Sequence, residues 1–430
     1  MVDITLLSNL NPWWRDKGEI EKDEKVLDYY RRKHKLKIGI EDRNLLIVGP
    51  RQVGKTTSIK LKILDLIKSG TNPKNIFFFS CDMISKKEDI VSMLQEFDRL
   101  SEGKKYIFLD EITFVNDWQN AIKFILDSPL SRNKIFCITG SSIAGLKKEM
   151  FPGRNIEIKK FLPLPFSEFC KLFGSENLKK IIEGKKQKPL PDEKTIVAFL
   201  PFSEELASLF QKFIQSGGFP LSFYELMENG SISEKTFDAY FNWVAGDMAK
   251  LERSERIFLS VAQGIVKNYG SKFSLNSVAK EMEIGSHVTV RDYLELLEEL
   301  YVIRNIFQKK RERPAFRSDR KAYFIDPFLF RVFYRKFFGT AEVPSEKTPH
   351  VVEGIVGEHL GRIKDIFFFS EKKEIDFVFD GAGIEVKYGA ASEKDFPKSE
   401  LRTKIILSKN EFKIAEDVMI VPVSVFLAAL

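Results

Sequence analysis

Residues 44–56 read NLLIVGPRQVGKT, and this stretch limits what the chain can fold into more than any other. Leu45 to Val48 is an apolar run that stops at Gly49, and Gly49, Gly54, Lys55 and Thr56 then keep the Walker A spacing. Beyond them Ile59, Ile63, Leu66 and Ile67 recur at helical period. A strand feeding a glycine loop that opens a helix is the context in which this pattern marks a phosphate site rather than a turn. The chemistry asks for these residue types. A loop of Gly49, Pro50, Arg51, Gln52, Val53 and Gly54 can close backbone N–H groups around a phosphate chain. Lys55 can reach the β- and γ-phosphates, while Thr56, followed by Thr57, can offer a hydroxyl to Mg2+. The sequence therefore predicts that ATP binds here together with Mg2+.

A second element supports that reading. Lys105-Tyr-Ile-Phe-Leu-Asp110-Glu111 is an apolar strand ending in two acids, as a Walker B strand should. Asp110 is expected to hold the metal shell and Glu111 to polarise the attacking water. An acidic pair after an apolar strand is often only solvated, but one βαβ interval after a Walker A the catalytic role is favoured. A further strand, Lys134 to Thr139, ends in Gly140-Ser141-Ser142. Ser141 can serve there as a γ-phosphate sensor or as an ordinary helix N-cap, since serine suits both.

The rest of the chain divides by pattern. Strands are predicted at Leu45–Val48, Ile76–Ser80, Tyr106–Asp110, Ile135–Thr139 and Ile156–Lys159, alternating with helical segments, which means a parallel sheet with helices on both faces. Residues 166–255 are helical in period, interrupted by a charged, proline-bearing stretch at 183–194 that reads as an exposed loop. Helices at about 274–282 and 287–300 flank a turn at Gly285, and a strand follows at 301–306. That is the order of a winged helix-turn-helix.

Charge location says more than the total. The formal net charge is +7, and residues 301–340 alone carry eleven Lys and Arg against three acids, leaving the remainder close to neutral. The densest run, Lys309, Lys310, Arg311 and Arg313, would sit on the wing and is the expected DNA-binding element. A polyanion partner is implied, with double-stranded or branched DNA the leading expectation.

A second site is suggested near the C-terminus. Residues 374–380 and 384–388, joined through Gly381-Ala-Gly383, read as a β-hairpin. Period two places Glu385 and Lys387 on one face, with Asp376 opposite them on the neighbouring strand. Carboxylates that can hold a divalent metal beside a lysine suit phosphodiester cleavage, although a charged solvent face is the bland alternative. A third acid, Glu353 or Glu358, can come from the preceding helix.

Other classes are disfavoured. Cys81, Cys137 and Cys170 lie in or beside apolar stretches without metal-ligand spacing, so they read as buried thiols. The N-terminus lacks a signal-peptide layout, and the apolar tail from Val418 is broken by Pro422 and Ser424, too short for the ~20 residues of a membrane span. A cytoplasmic protein with no membrane segment is expected. Hydrophobic residues make up 43% of the chain, with 39 Phe, enough for two to four cores.

Asn11-Pro-Trp-Trp14, GPRQVGKT, Leu109-Asp-Glu111 and Ile138-Thr-Gly-Ser-Ser142 resemble the archaeal and bacterial AAA+-type P-loop ATPases with a DUF4143-like C-terminal half. So do Gly153-Arg154 with the LPLPFSEF that follows, Gly217-Gly-Phe-Pro220 and Lys321-Ala-Tyr-Phe-Ile-Asp326. The resemblance implies an α/β fold: an AAA+-type parallel sheet with a helical lid, a winged helix-turn-helix and a C-terminal restriction-endonuclease-like unit of the PD-(D/E)XK kind. The implied domains are 1–165 for the P-loop ATPase, 166–255 for the lid, 256–310 for the winged helix and 311–430 for the nuclease-like unit. Asp376, Glu385 and Lys387 fall on that unit's D…ExK core, with Glu353 as its helical acid, and Glu353, Asp376 and Glu385 would form a second metal site. Arg154 is the arginine-finger candidate, and a homo-oligomer would accompany it. The function implied is an ATPase that couples ATP hydrolysis to DNA binding or remodelling, with DNA cleavage by the tail as an added activity. The alternative is a nucleotide-controlled switch or assembly ATPase whose tail only docks a partner.

Overall fold

A computed structural model of the chain describes residues 4–142, 151–185, 188–310, 313–315, 319–370, 373–415 and 417–430. The chain forms two compact units, Met1–Leu162 and Pro163–Leu430.

In the first unit the strands are β1 (Leu45–Val48), β2 (Ile76–Ser80), β3 (Lys105–Asp110), β4 (Lys134–Gly140) and β5 (Glu157–Lys160). They pair in the order β2-β3-β4-β1-β5, parallel throughout. β1 and β3 are buried along their whole length, as strands covered on both faces must be. The order places β4 between the Walker A strand and the Walker B strand, so the end of β4 reaches both. The outer edges are handled differently. β5 carries Glu157, Lys159 and Lys160, charges that discourage edge-to-edge pairing. β2 is aromatic (IFFFS), and the Asn-Pro-Trp-Trp segment closes its edge. Asn11 acts as a backbone mimic: its Nδ2 donates to the Phe78 carbonyl at 2.9 Å and its Oδ1 accepts from the Phe78 N–H at 2.6 Å. The indoles of Trp13 and Trp14 both donate to the Ile76 carbonyl, at 3.1 and 2.8 Å.

The second unit opens with helices from Phe166 to Lys267 whose core is largely phenylalanine. Phe166 meets Phe210 and Phe213 edge-on at 5.1 and 5.5 Å, and Phe169 meets Phe213 at 5.4 Å. The expected loop at 183–194 differs in two respects. Asp192 caps a helix from Glu193, and Lys185 is partly buried with its ammonium on the Ala428 carbonyl at 3.0 Å. The apolar tail forms a strand and then the buried helix Val423–Ala429, so its hydrophobicity is spent inside this unit. Among the described residues, no helix is long and apolar enough to cross a membrane.

The remaining strands are β6 (Ile303–Lys310), β7 (Arg313–Pro314), β8 (Arg320–Phe324), β9 (Phe367–Ser370), β10 (Glu374–Phe379), β11 (Ala382–Lys387), β12 (Thr403–Ser408), β13 (Lys413–Ile414) and β14 (Met419–Pro422). Among the described residues they make one nine-stranded sheet, in the order β13-β14-β12-β11-β10-β9-β6-β7 with β8 also on β6. The two expected helices are present as Leu275–Glu281 and His287–Glu299. The expected wing strand is different. β6 pairs antiparallel with β8, Ile303 opposite Phe324, and parallel with β9, Phe307 opposite Phe367. A boundary at residue 310 therefore cuts across a continuous sheet, because these pairings join segments distant in sequence that local periodicity cannot report.

Candidate nucleotide site and C-terminal carboxylate cluster

The phosphate loop is shaped by its glycines. Gly54 sits at φ +94°, a left-handed conformation suited to glycine, immediately before the helix Lys55–Lys68. Gly49 is required by packing, since a Cβ there would collide with the carbonyl oxygen of Phe161 at the end of β5. Lys55 is buried, and its ammonium donates to the carbonyls of Gly49 and Pro50, both at 2.8 Å, with Glu111 Oε1 at 3.8 Å. Val53 is buried beneath the loop, Gln52 takes φ +66° at its exposed turn, and Arg51 lies over the Phe114 ring at 5.1 Å. Thr57 is half-buried on the first helical turn.

Walker A and Walker B residues meet directly. The Thr56 hydroxyl donates to Asp110 Oδ2 at 2.6 Å. The other Asp110 oxygen accepts from the Thr139 hydroxyl, which in turn accepts the Glu111 N–H at 3.0 Å. Glu111 takes φ +53°, unusual for a residue with a side chain, and its Oε2 is buried without a hydrogen-bond partner. Thr139 is thus a site residue that the sequence reading passed over in favour of the serines beside it. The available signal was its position as the last side chain of a strand lying between β1 and β3. Ser141 instead faces Thr113, with the two hydroxyl oxygens 3.4 Å apart. Arg154 is held in a two-pronged ion pair by Asp127, Nε at 2.9 Å and Nη2 at 2.6 Å, and its Nη1 donates to the Pro152 carbonyl at 3.4 Å.

The C-terminal carboxylates do converge, around a lysine that the hairpin pattern did not suggest. β10 and β11 pair antiparallel with Phe377 opposite Ile384. Glu385 Oε2 accepts the Asp376 N–H at 3.3 Å, and Asp376 Oδ2 accepts the Val386 N–H at 2.9 Å. Lys387 donates to Glu385 Oε1 at 2.8 Å. Among them lies Lys321 from β8, its side chain 1% exposed, with its ammonium 2.7 Å from Glu353, 2.7 Å from Glu374 and 3.3 Å from Asp376. Burial and then the Glu353 charge push the Asp376 carboxyl above its ordinary range. Burial is the largest single influence on Glu353 and acts to raise it, but the Lys321 charge together with hydrogen bonds from His350, Lys321 and Tyr323 holds that carboxyl down at about 2. Glu358, the other helical candidate, is taken by Arg304 and Arg362 at 2.6 and 2.9 Å. The expected metal set of Glu353, Asp376 and Glu385 is therefore corrected. Among the described residues, no group of three His, Cys, Asp or Glu side chains is placed to hold a metal ion.

Much of the basic stripe is spent inside the fold. Arg304 pairs with Glu358, Lys321 with the carboxylates, and Arg335 with Asp238 at 2.7 Å, while Arg320 is buried and Arg331 donates to the Ala341 carbonyl at 3.1 Å. Of the expected contact residues, Arg313 is exposed and Lys309 half-buried at the β6–β7 hairpin. The Lys310 side chain and all of Arg311 lie outside the described residues.

The loop, the Walker strands on either side of β4 and the sheet order agree with the family comparison. Residues 41–170 match the AAA domain family. Outside this AAA domain, residues 207–337 match a domain of unknown function (DUF8612), rather than the DUF4143-like half that the resemblance implied. A curated relative, an uncharacterised protein of Haemophilus influenzae, is 24% identical over 296 residues, covering 65% of this chain. The match spans 66% of that relative's own length. Among solved structures, the Thermotoga maritima RuvB Holliday junction branch migration motor is similar at 16% identity and TM-score 0.29, over 80% of this chain and 96% of that one. AMPPCP-bound DnaA from Aquifex aeolicus is similar at 15% identity and TM-score 0.24, over 60% and 82%. Likenesses this weak carry no functional argument, and the AAA domain reading stands on the site and the family match.

Proposed function

We propose that this chain is a Mg2+-dependent ATPase whose nucleotide cycle is coupled to DNA binding or remodelling, with the C-terminal carboxylate cluster serving binding rather than cleavage. The observation that carries the ATPase reading is the hydrogen-bonded line Thr56–Asp110–Thr139–Glu111 beside the Lys55 loop. The residues fit a nucleotide with its metal. Thr56 and Asp110 offer the all-oxygen donor set that Mg2+ prefers, and Glu111 Oε2 is buried with an unused acceptor. Thr56 and Asp110 would hold Mg2+, which when bound would neutralise charge on the β- and γ-phosphate oxygens.

The chain's own residues account for the remaining steps. Lys55 exchanges the carbonyls of Gly49 and Pro50 for phosphate oxygens, joined by backbone N–H groups of the loop and of the helix it opens. Glu111 Oε2 accepts a hydrogen bond from the attacking water and orients it in line. Thr139 fixes the Glu111 backbone and one Asp110 oxygen, so both acids are aimed before substrate arrives. Ser141 is assigned to the γ-phosphate end together with Thr113. Arg154 is the arginine-finger candidate for a neighbouring copy in a homo-oligomer, a role that requires release from Asp127.

The DNA assignment rests on the sequence run 309–313, which carries Lys309, Lys310, Arg311 and Arg313 with no acid but Glu312. Cleavage is disfavoured because Lys321 already sits among the carboxylates that it would need. Neutralising the four basic residues should weaken DNA binding for every sequence and flatten log K against log salt by about 0.9 per lost contact. An unchanged slope places the DNA elsewhere or removes it from the account. The rival reading, a nucleotide switch or assembly ATPase with a docking tail, predicts an ATPase rate indifferent to double-stranded, single-stranded and branched DNA.

A further inference from the structure

The D…ExK resemblance implies a divalent metal among Glu353, Asp376 and Glu385, and the residues present do not fit one. Lys321 and Tyr323 lie two apart on β8 and so share a face. Both bond Glu353 Oε1, at 2.7 and 2.5 Å. Glu374 and Asp376 share a face of β10 in the same way, and each turns an oxygen to the Lys321 ammonium. An ammonium has three N–H donors, and Lys321 has three carboxylate partners. The other oxygens are also engaged: Asp376 Oδ2 by the Val386 N–H, Glu385 Oε1 by Lys387, and Glu385 Oε2 by the Asp376 N–H. Glu353 Oε2 has His350 Nδ1 at 3.8 Å, and Glu374 Oε2 has Lys272 at 3.8 Å. Burial of Lys321 is nearly complete, and its ring neighbour Phe368 lies 5.7 Å from the ammonium. A buried cation can be tolerated only with such close compensation.

We infer that Lys321 is the resident cation of this site: its ammonium fills the place a divalent ion would need and holds Glu353, Glu374 and Asp376 closed to metal. A dication entering beside it would meet a fixed like charge at contact distance in a dry pocket. The cluster is then a structural lock that ties β8, β10 and the helix Thr348–Ile363 together through one side chain. It gives a physical reason for the binding role proposed for this unit and is independent of the ATPase reading.

The test is Mn2+ titration of the nucleotide-free, full-length protein, with free Mn2+ read by electron paramagnetic resonance. Wild type should show no site, up to about millimolar Mn2+, that Asp376→Asn removes. Lys321→Met keeps the stem and removes the charge. It should gain a Mn2+ site about a hundredfold or more tighter than any wild-type site depending on Asp376, and lose it again when Asp376→Asn is added. Wild-type binding that Asp376→Asn abolishes would overturn the inference, as would a folded Lys321→Met protein that binds no more Mn2+ than wild type. If Lys321→Met does not fold, the comparison of wild type with Asp376→Asn still decides. DNA-stimulated ATP turnover, measured on the same wild-type sample, tests the functional reading separately.

Discussion

Replacing Thr139 with valine isolates the residue on which both Walker B acids depend. The side chain is fully buried, and valine matches its shape while removing the hydroxyl. Two interactions go with it: a hydrogen bond to the charged Asp110 oxygen and the acceptor for the Glu111 N–H. A hydrogen bond to a charged group contributes about 1.5–3 kcal/mol, and a buried N–H left without a partner costs about 1–3 kcal/mol. Part of that total appears as lost stability and part as misplacement of Asp110 and Glu111. If about 1.4–2.8 kcal/mol reaches the transition state, turnover falls about 10- to 100-fold. The assay is steady-state ATP hydrolysis together with nucleotide affinity for wild type, Thr139→Val and Thr139→Ser. Valine should lower kcat by that factor with little change in nucleotide Kd, and serine, which keeps the hydroxyl, should stay near wild type. A Thr139→Val enzyme with wild-type kcat would refute the reasoning, and so would a serine variant as impaired as the valine.

Gly49→Ala should destabilise the first unit and impair nucleotide binding, because the added methyl meets the Phe161 carbonyl rather than solvent; thermal unfolding of the variant checks this, and an unchanged midpoint would count against it. His359 makes a pH prediction for the second unit. Its Nε2 accepts the Phe166 N–H at 2.8 Å, so the proton is on Nδ1, which donates to the Ile355 carbonyl at 2.7 Å. Burial holds this imidazole down at about 3 against an ordinary 6.5. The folded pKa is depressed, so the unfolded chain takes up the proton first. Stability present above pH 6.5 is lost as pH falls towards 3, by about 1.4 kcal/mol per pH unit for this group. Urea unfolding between pH 7 and pH 5 should show the decline in wild type, and a His359→Gln variant should flatten it; equal slopes would remove His359 as the cause.

What was legible in the sequence was local. Gly49 to Thr56 and the strand ending at Asp110-Glu111 are contiguous, and their chemistry is fixed by spacing along the chain. The juxtaposition of Asp376 and Glu385 was readable because a short hairpin sets its own register. Lys321 was not, since β8 reaches that cluster across more than fifty residues and its sheet position depends on β6. The same long-range pairing moved β6 from an expected small module into the nine-stranded sheet. The basic stripe misled for another reason: a charge count cannot say that Arg304, Lys321 and Arg335 face carboxylates or that Arg320 is buried. Thr139 was hidden by the neighbouring serines, although the position of β4 between β1 and β3 explains why its hydroxyl bridges the acids. Asn11, Trp13 and Trp14 contributed only to a resemblance, whereas the structure gives them a physical task on the edge of β2.

The central claim is that Glu111 acts on water while Lys55, Thr56 and Asp110 hold MgATP. Glu111→Gln keeps the size of the side chain and removes its charge. The most direct measurement is ATP binding and single-turnover hydrolysis by this variant with Mg2+, beside wild type and Lys55→Ala. The account predicts that Glu111→Gln binds ATP with wild-type affinity and does not turn it over, whereas Lys55→Ala fails to bind. Hydrolysis by Glu111→Gln at the wild-type rate would contradict it.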